Sequence, residues 1–514
     1  MEETLDQLNA LLLQSAPAAP SNDSDSANNV VSQPPVSPAA GSFPDPVIVN
    51  SQLPAPQQAP DRNHNLLHFL QYWDYLKSRN LLQNVGGTPQ NYPSILRYQC
   101  RRVKYEDLQD DKYDLQGIDW QAVGVTRSSA RKYRVTAFRS HTDIYGSGRW
   151  NPTLPDRLLS RHENYFRFRS MDLRADVLLA HYRSRSILGC ASRTAVYYPN
   201  IFGVVVELDP STGHVKTAMR FKSAKYVSVS TLAADEGILL TGTYHGRYSY
   251  LPIETEDTSA YYGGELSGSS GDITHHVQIH SSRGSSMPLA TFASDNGGIR
   301  MVDLTRNEII FRKIYDHPLK CTALSPDKRL RVMVGDNRNV LIIDSERGDI
   351  LQSLDGHRDF GVACDWAPNN WNVATANEDQ SIRIWDARKW RNSKGEATSI
   401  ATIRSEMACA RSLRFSPLGS GKPLLLAAET ADVINLIDAQ TFDSKQTIDI
   451  FGELAGVSFT GAGQEIVALS SDPVRGGILS LERCDHGAKT PLLPTPTEVV
   501  NHLKTQVKED WFFK

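Results

Sequence analysis

Seven times between residues 203 and 482, a run rich in apolar and β-branched side chains ends in an acidic residue or a turn. The runs are GVVVELD (203–209), RYSYLPI (247–253), GIRMVD (298–303), NVLIID (339–344), SIRIWD (381–386), DVINLID (432–438) and GILSLE (477–482). The ends at 303, 344, 386, 438 and 482 are spaced by 41, 42, 52 and 44 residues. Upstream partners recur too. TALSP (322–326) and LRFSP (413–417) read as a first strand with its turn, and RVMVG (331–335), NVATA (372–376) and LLLAA (424–428) as a second. Such a period holds a four-stranded unit in which the acid-ended run is the third strand. Strands this apolar suit sheets covered on both faces, and one unit cannot bury its faces alone. The fold class is therefore all-β and repetitive.

Residues 356–386, GHRDFGVACDWAPNNWNVATANEDQSIRIWD, are the clearest copy. The stretch opens with Gly356-His357 and closes with Trp385-Asp386, and it resembles the repeat of WD-repeat β-propellers. That resemblance implies a seven-bladed propeller over residues 163–485. It also implies a structural tetrad: His357 before the first strand, Thr375 on the second, Asp379 in the turn and Trp385 ending the third. Their hydrogen bonds would run from the indole to the hydroxyl, to the imidazole, to the carboxylate. This reads the His/Thr/Asp set as a strut rather than as hydrolase chemistry. The preceding repeat has Asp316-His317 and Asp336 but ends in Ile343-Asp344. The seventh unit lacks an obvious outer strand. YFRFR (165–169), which belongs to no other unit, is expected to supply it and close the ring. Residues 254–272 are expected to form a polar loop insertion, and their glycines lack the Lys-Ser/Thr of a phosphate loop.

Two further resemblances carry names. LQGIDW (115–120), residues 356–388, ARSLRFSP (410–417) and IDIFGELAGVSF (448–459) resemble a largely uncharacterised family of fungal and plant WD-repeat proteins, which implies the fold and little of the function. VATANEDQSIRIWDAR (373–388) is similar to the WDxR box of substrate receptors that dock on the adaptor of cullin-4 ubiquitin ligases. There the box implies partner contact through Asp386 and Arg388 at the propeller rim, a role suited to the guanidinium fork. The chain departs from receptors with two boxes, because Ile343-Asp344-Ser345-Glu346 places an acid where a second arginine would stand.

Residues 1–62 hold ten of the 27 prolines and Phe43 as their one aromatic, so they read as a disordered arm. Within it, Leu5, Leu8, Leu11 and Leu13 fit either a leucine-rich export motif or a short amphipathic helix. Residues 63–162 read as a helical and irregular segment packed on the propeller. Leu66, Phe69, Leu70, Trp73 and Leu76 make a helical stripe that Gly86-Gly87 can stop. His64 and His68 stand four apart but lack the glutamate and third ligand of a metal helix, so no metal is expected. Residues 127–169 contain nine Arg and one Lys against three acids, interleaved with aromatics. Such a zone either binds phosphate backbones or clamps carboxylates while it wraps a domain, and the wrapping role is the expectation. The tail 486–514 is expected to be a loop with a helix over residues 499–508.

Net charge is −3 and pI about 6.5, which argues for neither nucleic acid nor membrane as a global partner. Six scattered cysteines with no CxxC suit a reduced compartment, cytoplasmic or nuclear. No apolar run approaches a membrane span, and the acidic N-terminus does not read as a secretory signal. No nucleophile elbow, metal spacing or cofactor motif occurs. The sequence thus predicts a non-catalytic scaffold for other proteins, without cofactors. The alternative is a cullin-4 type substrate receptor docking through residues 385–388, and a third reading is RNA or phospholipid binding through residues 127–169.

Overall fold

The computed structural model describes residues 65–484, apart from 83–84, 98–100, 110–111, 150–158, 162, 180–185, 222–227 and 268–271. Leu5, Leu8, Leu11, Leu13, His64 and the helix expected over residues 499–508 lie outside the described residues.

The described chain is mostly β. Five antiparallel sheets have four strands each. One holds β3 (Gly189–Ser192), β4 (Ala195–Pro199), β5 (Val204–Leu208) and β6 (Val215–Arg220). The next holds β7 (Val229–Asp235), β8 (Ile238–Thr243), β9 (Arg247–Pro252) and β10 (Tyr262–Glu265). The third has β11 (Thr274–Ser281), β12 (Pro288–Ser294), β13 (Gly298–Asp303) and β14 (Glu308–Ile314). The fourth has β15 (Leu319–Leu324), β16 (Leu330–Gly335), β17 (Asn337–Asp344) and β18 (Ile350–Leu354). The fifth has β19 (Gly361–Trp366), β20 (Asn372–Asn377), β21 (Ser381–Asp386) and β22 (Ser399–Arg404).

The remaining strands are β1 (Arg102–Lys104), β2 (Phe166–Leu173), β23 (Ala410–Phe415), β24 (Leu424–Glu429), β25 (Ala431–Asp438), β26 (Lys445–Thr460), β27 (Glu465–Ser470) and β28 (Gly477–Arg483). They form one sheet in the order β1-β2-β28-β27-β26-β25-β24-β23. The long β26 joins its two halves. Lys445 to Glu453 pair with β25, and Leu454 to Thr460 pair with β27. The strand turns at Gly452, whose φ of +121° and whose closeness to Asp472 exclude a side chain. The first strands touch in sequence, β3 to β7, β11, β15, β19 and β23, then β26, which touches β3 again. This arrangement is compatible with a propeller.

All seven runs, six of them ending in an acid, lie on third strands: β5, β9, β13, β17, β21, β25 and β28. Their faces are buried on both sides, as at SIRIWD, where Ile382, Ile384 and Trp385 are at most 1% exposed. The run YFRFR lies on β2, which pairs antiparallel with β28 from Phe166↔Arg483 to Leu173↔Gly477. The short β1 adds outside it.

Two expectations need correction. Residues 254–272 are not simply a loop insertion, because Tyr262–Glu265 pairs with β9 as the outer strand of its sheet. An outer strand faces solvent, so its Gly-rich, polar composition hid it; Tyr262 stacks on Tyr250 with centroids 5.5 Å apart. The first helix also ends before Gly86. Helix α1 (Leu66–Ser78) is capped at its start by Asn65, whose side chain accepts from the His68 N–H at 2.8 Å. It stops at Asn80, φ +57°, with Asn80 N–H to Lys77 O and Leu81 N–H to Leu76 O closing the end. Asparagine does here what glycine does at most such ends.

Helix α1 packs with α2 (Tyr92–Arg97), α3 (Trp120–Val123) and α4 (Arg127–Ala137) against β26. Leu66, Phe69, Leu70 and Trp73 share one cluster with Ile118, Trp120, Tyr133 and Phe451. The helix start is docked by Asp472, which accepts the Leu66 N–H at 2.8 Å. A carboxylate at a helix N-terminus is favoured by the dipole.

Candidate interaction surface

The polar residues of the fifth sheet sit in one hydrogen-bonded chain. Trp385 Nε1 donates to Thr375 Oγ1 at 2.9 Å, and Thr375 Oγ1 lies 2.9 Å from His357 Nε2. Since the threonine oxygen accepts from the indole, its own proton goes to Nε2. The Nδ1–H of His357 therefore faces Asp379 Oδ2, 3.2 Å away. Ser381 Oγ donates to Asp379 Oδ1 at 2.7 Å. All five side chains are buried. Burial pushes His357 below its ordinary pKa, so the imidazole is neutral at pH 7. In the preceding sheet, His317 pairs with its neighbour Asp316 at 2.6 Å, while Asp336 faces Lys320 at 3.5 Å.

This chain has a second duty. Asp379 Oδ2 also accepts the Arg358 N–H at 2.8 Å, which fixes the loop carrying Arg358 and Asp359. That loop seats the segment before β2. Asp359 accepts the Ile144 N–H at 3.2 Å and the Ser147 hydroxyl, and Arg358 Nη2 donates to the Ser147 carbonyl at 2.6 Å. Sequence reasoning missed Arg358 and Asp359, because their partners lie about 210 residues away.

The arginine-rich zone is spent on carboxylates of its own chain. Arg131 and Arg134 of α4 both reach Asp432 Oδ2, at 3.1 and 2.9 Å, and Arg131 also meets Asp449 at 2.8 Å. Asp432 is fully buried, and its other oxygen accepts the Gly452 N–H at 2.7 Å. Arg127 lies 3.4 Å from Asp114, and Arg161, Arg167 and Arg169 pair with Glu406, Glu482 and Glu465. Six of the nine arginines thus face acids, and Arg131 and Arg134 also lie over the rings of Phe451 and Phe69. LQGIDW docks in the same place. Asp114 Oδ1 accepts from the N–H groups of Gln116 and Ile118, and Oδ2 from Trp120 Nε1 at 2.7 Å.

Asp386 and Arg388 lie at the end of β21. Arg388 forks onto Asp386, Nε to Oδ1 at 2.9 Å and Nη2 to Oδ2 at 2.7 Å. Its guanidinium lies 4.7 Å from the Trp371 ring centroid, and the Arg388 side chain is 64% exposed. Among the described residues Nη1 has no hydrogen-bond partner. The pair holds Asp386 below the usual carboxylate range. A shallow concavity of about 330 Å³ opens here, lined by Trp371, Asp386, Arg388, Ile400, Gln440 and Phe442. Trp371 and Ile400 are each 44% exposed. Trp371, in the Asn-Asn-Trp turn, was missed. Its signal is an indole placed where a turn normally carries a small polar residue.

Compared with known proteins, the chain matches no family model and no curated protein. Among the described residues, no group of three or more His, Cys, Asp or Glu side chains is arranged to hold a metal ion. No described helix is long and apolar enough to cross a membrane.

Proposed function

We propose that the chain is a seven-bladed propeller of the WD-repeat type that serves as a non-catalytic platform for other proteins. Counting the two halves of β26 separately gives seven four-stranded groups, with β2 completing the last. The cycle of first-strand contacts and the His357 tetrad support the same reading.

The observation that carries the binding role is Arg388 on Trp371. Its guanidinium is oriented by Asp386 and by the indole face, and Nη1 is left to engage a partner's carbonyl or carboxylate. Exposed aromatic and arginine side chains beside apolar ones are the composition of binding hot spots.

The second reading is a substrate receptor of a cullin-4 type ligase. It is favoured by the placement of Arg388 in the exposed turn after Trp385-Asp386. Phosphate binding through residues 127–169 is the weakest reading, since most of those arginines already face acids. Its test is heparin retention of the wild type against Arg139→Ala and Arg149→Ala.

The deciding experiment is affinity purification of the wild type, Arg388→Ala and Trp371→Ala from cells, with mass spectrometry. A ligase adaptor recovered with the wild type and lost with Arg388→Ala assigns the receptor role. Other partners lost without any adaptor assign the scaffold role. A partner set indifferent to both changes removes this surface from either.

A further inference from the structure

The concavity that holds Trp371 and Arg388 is built from turns at one end of two sheets. Trp371 lies between β19 and β20, Arg388 follows β21, and residues 440–442 lie between β25 and β26. The last described residues lie at the same end. At the close of β28, Arg483 donates from Nε to the Gly463 carbonyl at 3.0 Å and from Nη1 to the Lys422 carbonyl at 3.2 Å. A short path of side chains leads from there to the concavity. Lys422 Nζ lies 3.1 Å from Asp438 Oδ2, that oxygen accepts from Thr441 Oγ1 at 2.8 Å, and Thr441 lines the concavity. The chain therefore leaves Cys484 at the end of the sheets that carries Arg388. The first described residues start elsewhere. The Leu66 N–H sits on Asp472, in the turn between β27 and β28, at the opposite end of those strands from Arg483.

Residues 485–514 lie outside the described residues. Their only aromatics are Trp511, Phe512 and Phe513, adjacent to one another and preceded by Glu509 and Asp510. Three adjacent aromatics gain much by being covered. The distance from Cys484 to Trp511 is 27 residues (511 − 484). A stretch of that length spans up to about 90 Å, so reach is no obstacle.

The chemistry of the concavity is complementary to this run. Trp371 and Ile400 are partly exposed, and Arg388 Nη1 has no hydrogen-bond partner among the described residues. Aromatic rings can cover the two apolar side chains while a neighbouring carboxylate meets the guanidinium.

We propose that Trp511, Phe512 and Phe513 of this same chain occupy the concavity, with Glu509 or Asp510 on Arg388 Nη1, and so shield the surface from partners. The inference rests on the reading of that concavity as the partner-binding surface. A tethered segment meets its site at an effective concentration on the order of a millimolar. Modest contacts therefore suffice to fill the site, and a partner binds by displacing them.

The test uses a fluorescein-labelled peptide of residues 501–514 and fluorescence anisotropy. The full-length chain carrying Trp511→Ala, Phe512→Ala and Phe513→Ala together is expected to bind the peptide. The wild type should bind it at least about tenfold more weakly, because its own run competes. Adding Trp371→Ala or Arg388→Ala to the triple variant should weaken peptide binding about tenfold. In affinity purification from cells, partners that need Arg388 should be recovered in greater amount with the triple variant. A peptide that does not bind the triple variant, or binds it no better than the wild type, overturns the proposal, and so does binding indifferent to both Trp371 and Arg388. A wild type that sediments as a dimer beside a monomeric triple variant would put the run on a second copy and overturn the intramolecular arrangement. The two readings fail separately. Peptide binding without any partner that needs Arg388 removes the platform role alone, and such partners without peptide binding remove the shielding alone.

Discussion

Gln116 and Phe451 exchange two hydrogen bonds across 335 residues of sequence. Gln116 Nε2 donates to the Phe451 carbonyl at 2.8 Å, and the Phe451 N–H donates to Gln116 Oε1 at 2.5 Å. The side-chain amide behaves as one residue of an added strand at the point where β26 turns. Nε2 also donates to the Arg475 carbonyl at 2.9 Å, so one side chain holds two turns.

Replacing Gln116 by Ala leaves buried backbone groups without partners. Each costs about 1–3 kcal/mol, so a loss of about 2–4 kcal/mol is expected in urea denaturation. Gln116→Glu keeps the acceptor for Phe451 and loses both donated bonds, so it is expected to be destabilised as well. An unchanged midpoint in Gln116→Ala would show that LQGIDW is held by its apolar residues alone.

Asp432 serves three donors while buried, and its φ of +67° favours Asp or Asn. Asp432→Ala strands Arg131 and Arg134 without their shared carboxylate, at an expected cost of about 3–5 kcal/mol. Asp432→Asn keeps the backbone preference and one acceptor, so it separates the charge from the strain. Thermal unfolding should rank wild type, Asn and Ala in that order. Proteolysis should first cut the Ala variant in residues 127–149.

Among the described residues Thr375 is the one hydrogen-bonded link between Trp385 and His357, so Thr375→Val breaks the chain with little change in volume. A loss of about 2–3 kcal/mol is expected from two unsatisfied donor or acceptor groups. The change in Thr375→Val/Trp385→Phe should be smaller than the sum of the single changes, because both remove the same bond. Additive losses would mean that the indole N–H finds another partner.

The pH dependence of stability should carry two opposed slopes. His357 lies below its ordinary 6.5 because burial disfavours the charged ring, so the unfolded chain gains the proton first. Its contribution is present above pH 6.5 and lost as pH falls. Burial pushes Asp379 up, but His357, Arg358 and Ser381 outweigh it and hold it well below the usual range, so its contribution is lost as pH falls below about 3.8. Glu429 runs the other way. Burial raises it to about 7, although the N–H groups of Glu406, Met407 and Ala408 pull it back. Its contribution is full below pH 4.5 and lost as pH rises toward 7. Unfolding midpoints taken from pH 4 to 8 should therefore rise more steeply between 4.5 and 7 in Glu429→Gln, and more shallowly in His357→Gln.

The third strands were legible because they are largely buried on both faces and every run but that on β9 ends in an acid. Asp303, Asp344 and Asp438 start a turn by accepting the N–H groups two and three residues on. The four tetrad positions were legible through the resemblance of residues 356–386 to a WD repeat, which implied them. Tyr262–Glu265 was not, because an outer strand needs neither apolar runs nor alternation. Asp359, Asp432 and Trp371 were not either. Their partners are set by how distant elements pack, and a lone Asp or Trp in one sequence carries no mark of that. The arginine-rich zone was legible as charge but not as pairing, which required Asp432, Asp449 and Glu406 to be placed opposite it.

The pairing of β2 with β28 also sets an order of events during synthesis. Phe166 leaves the ribosome more than three hundred residues before Arg483, its opposite number in the ladder. Through most of translation β2 lacks the strand it needs, and β27 and β28 arrive last to find it. A chain that stops short of residue 477 keeps a strand edge exposed however well its other sheets have formed. The edge of β2 is therefore the one that stays open until β28 has been made, and an unpaired strand edge is a template for wrong pairing.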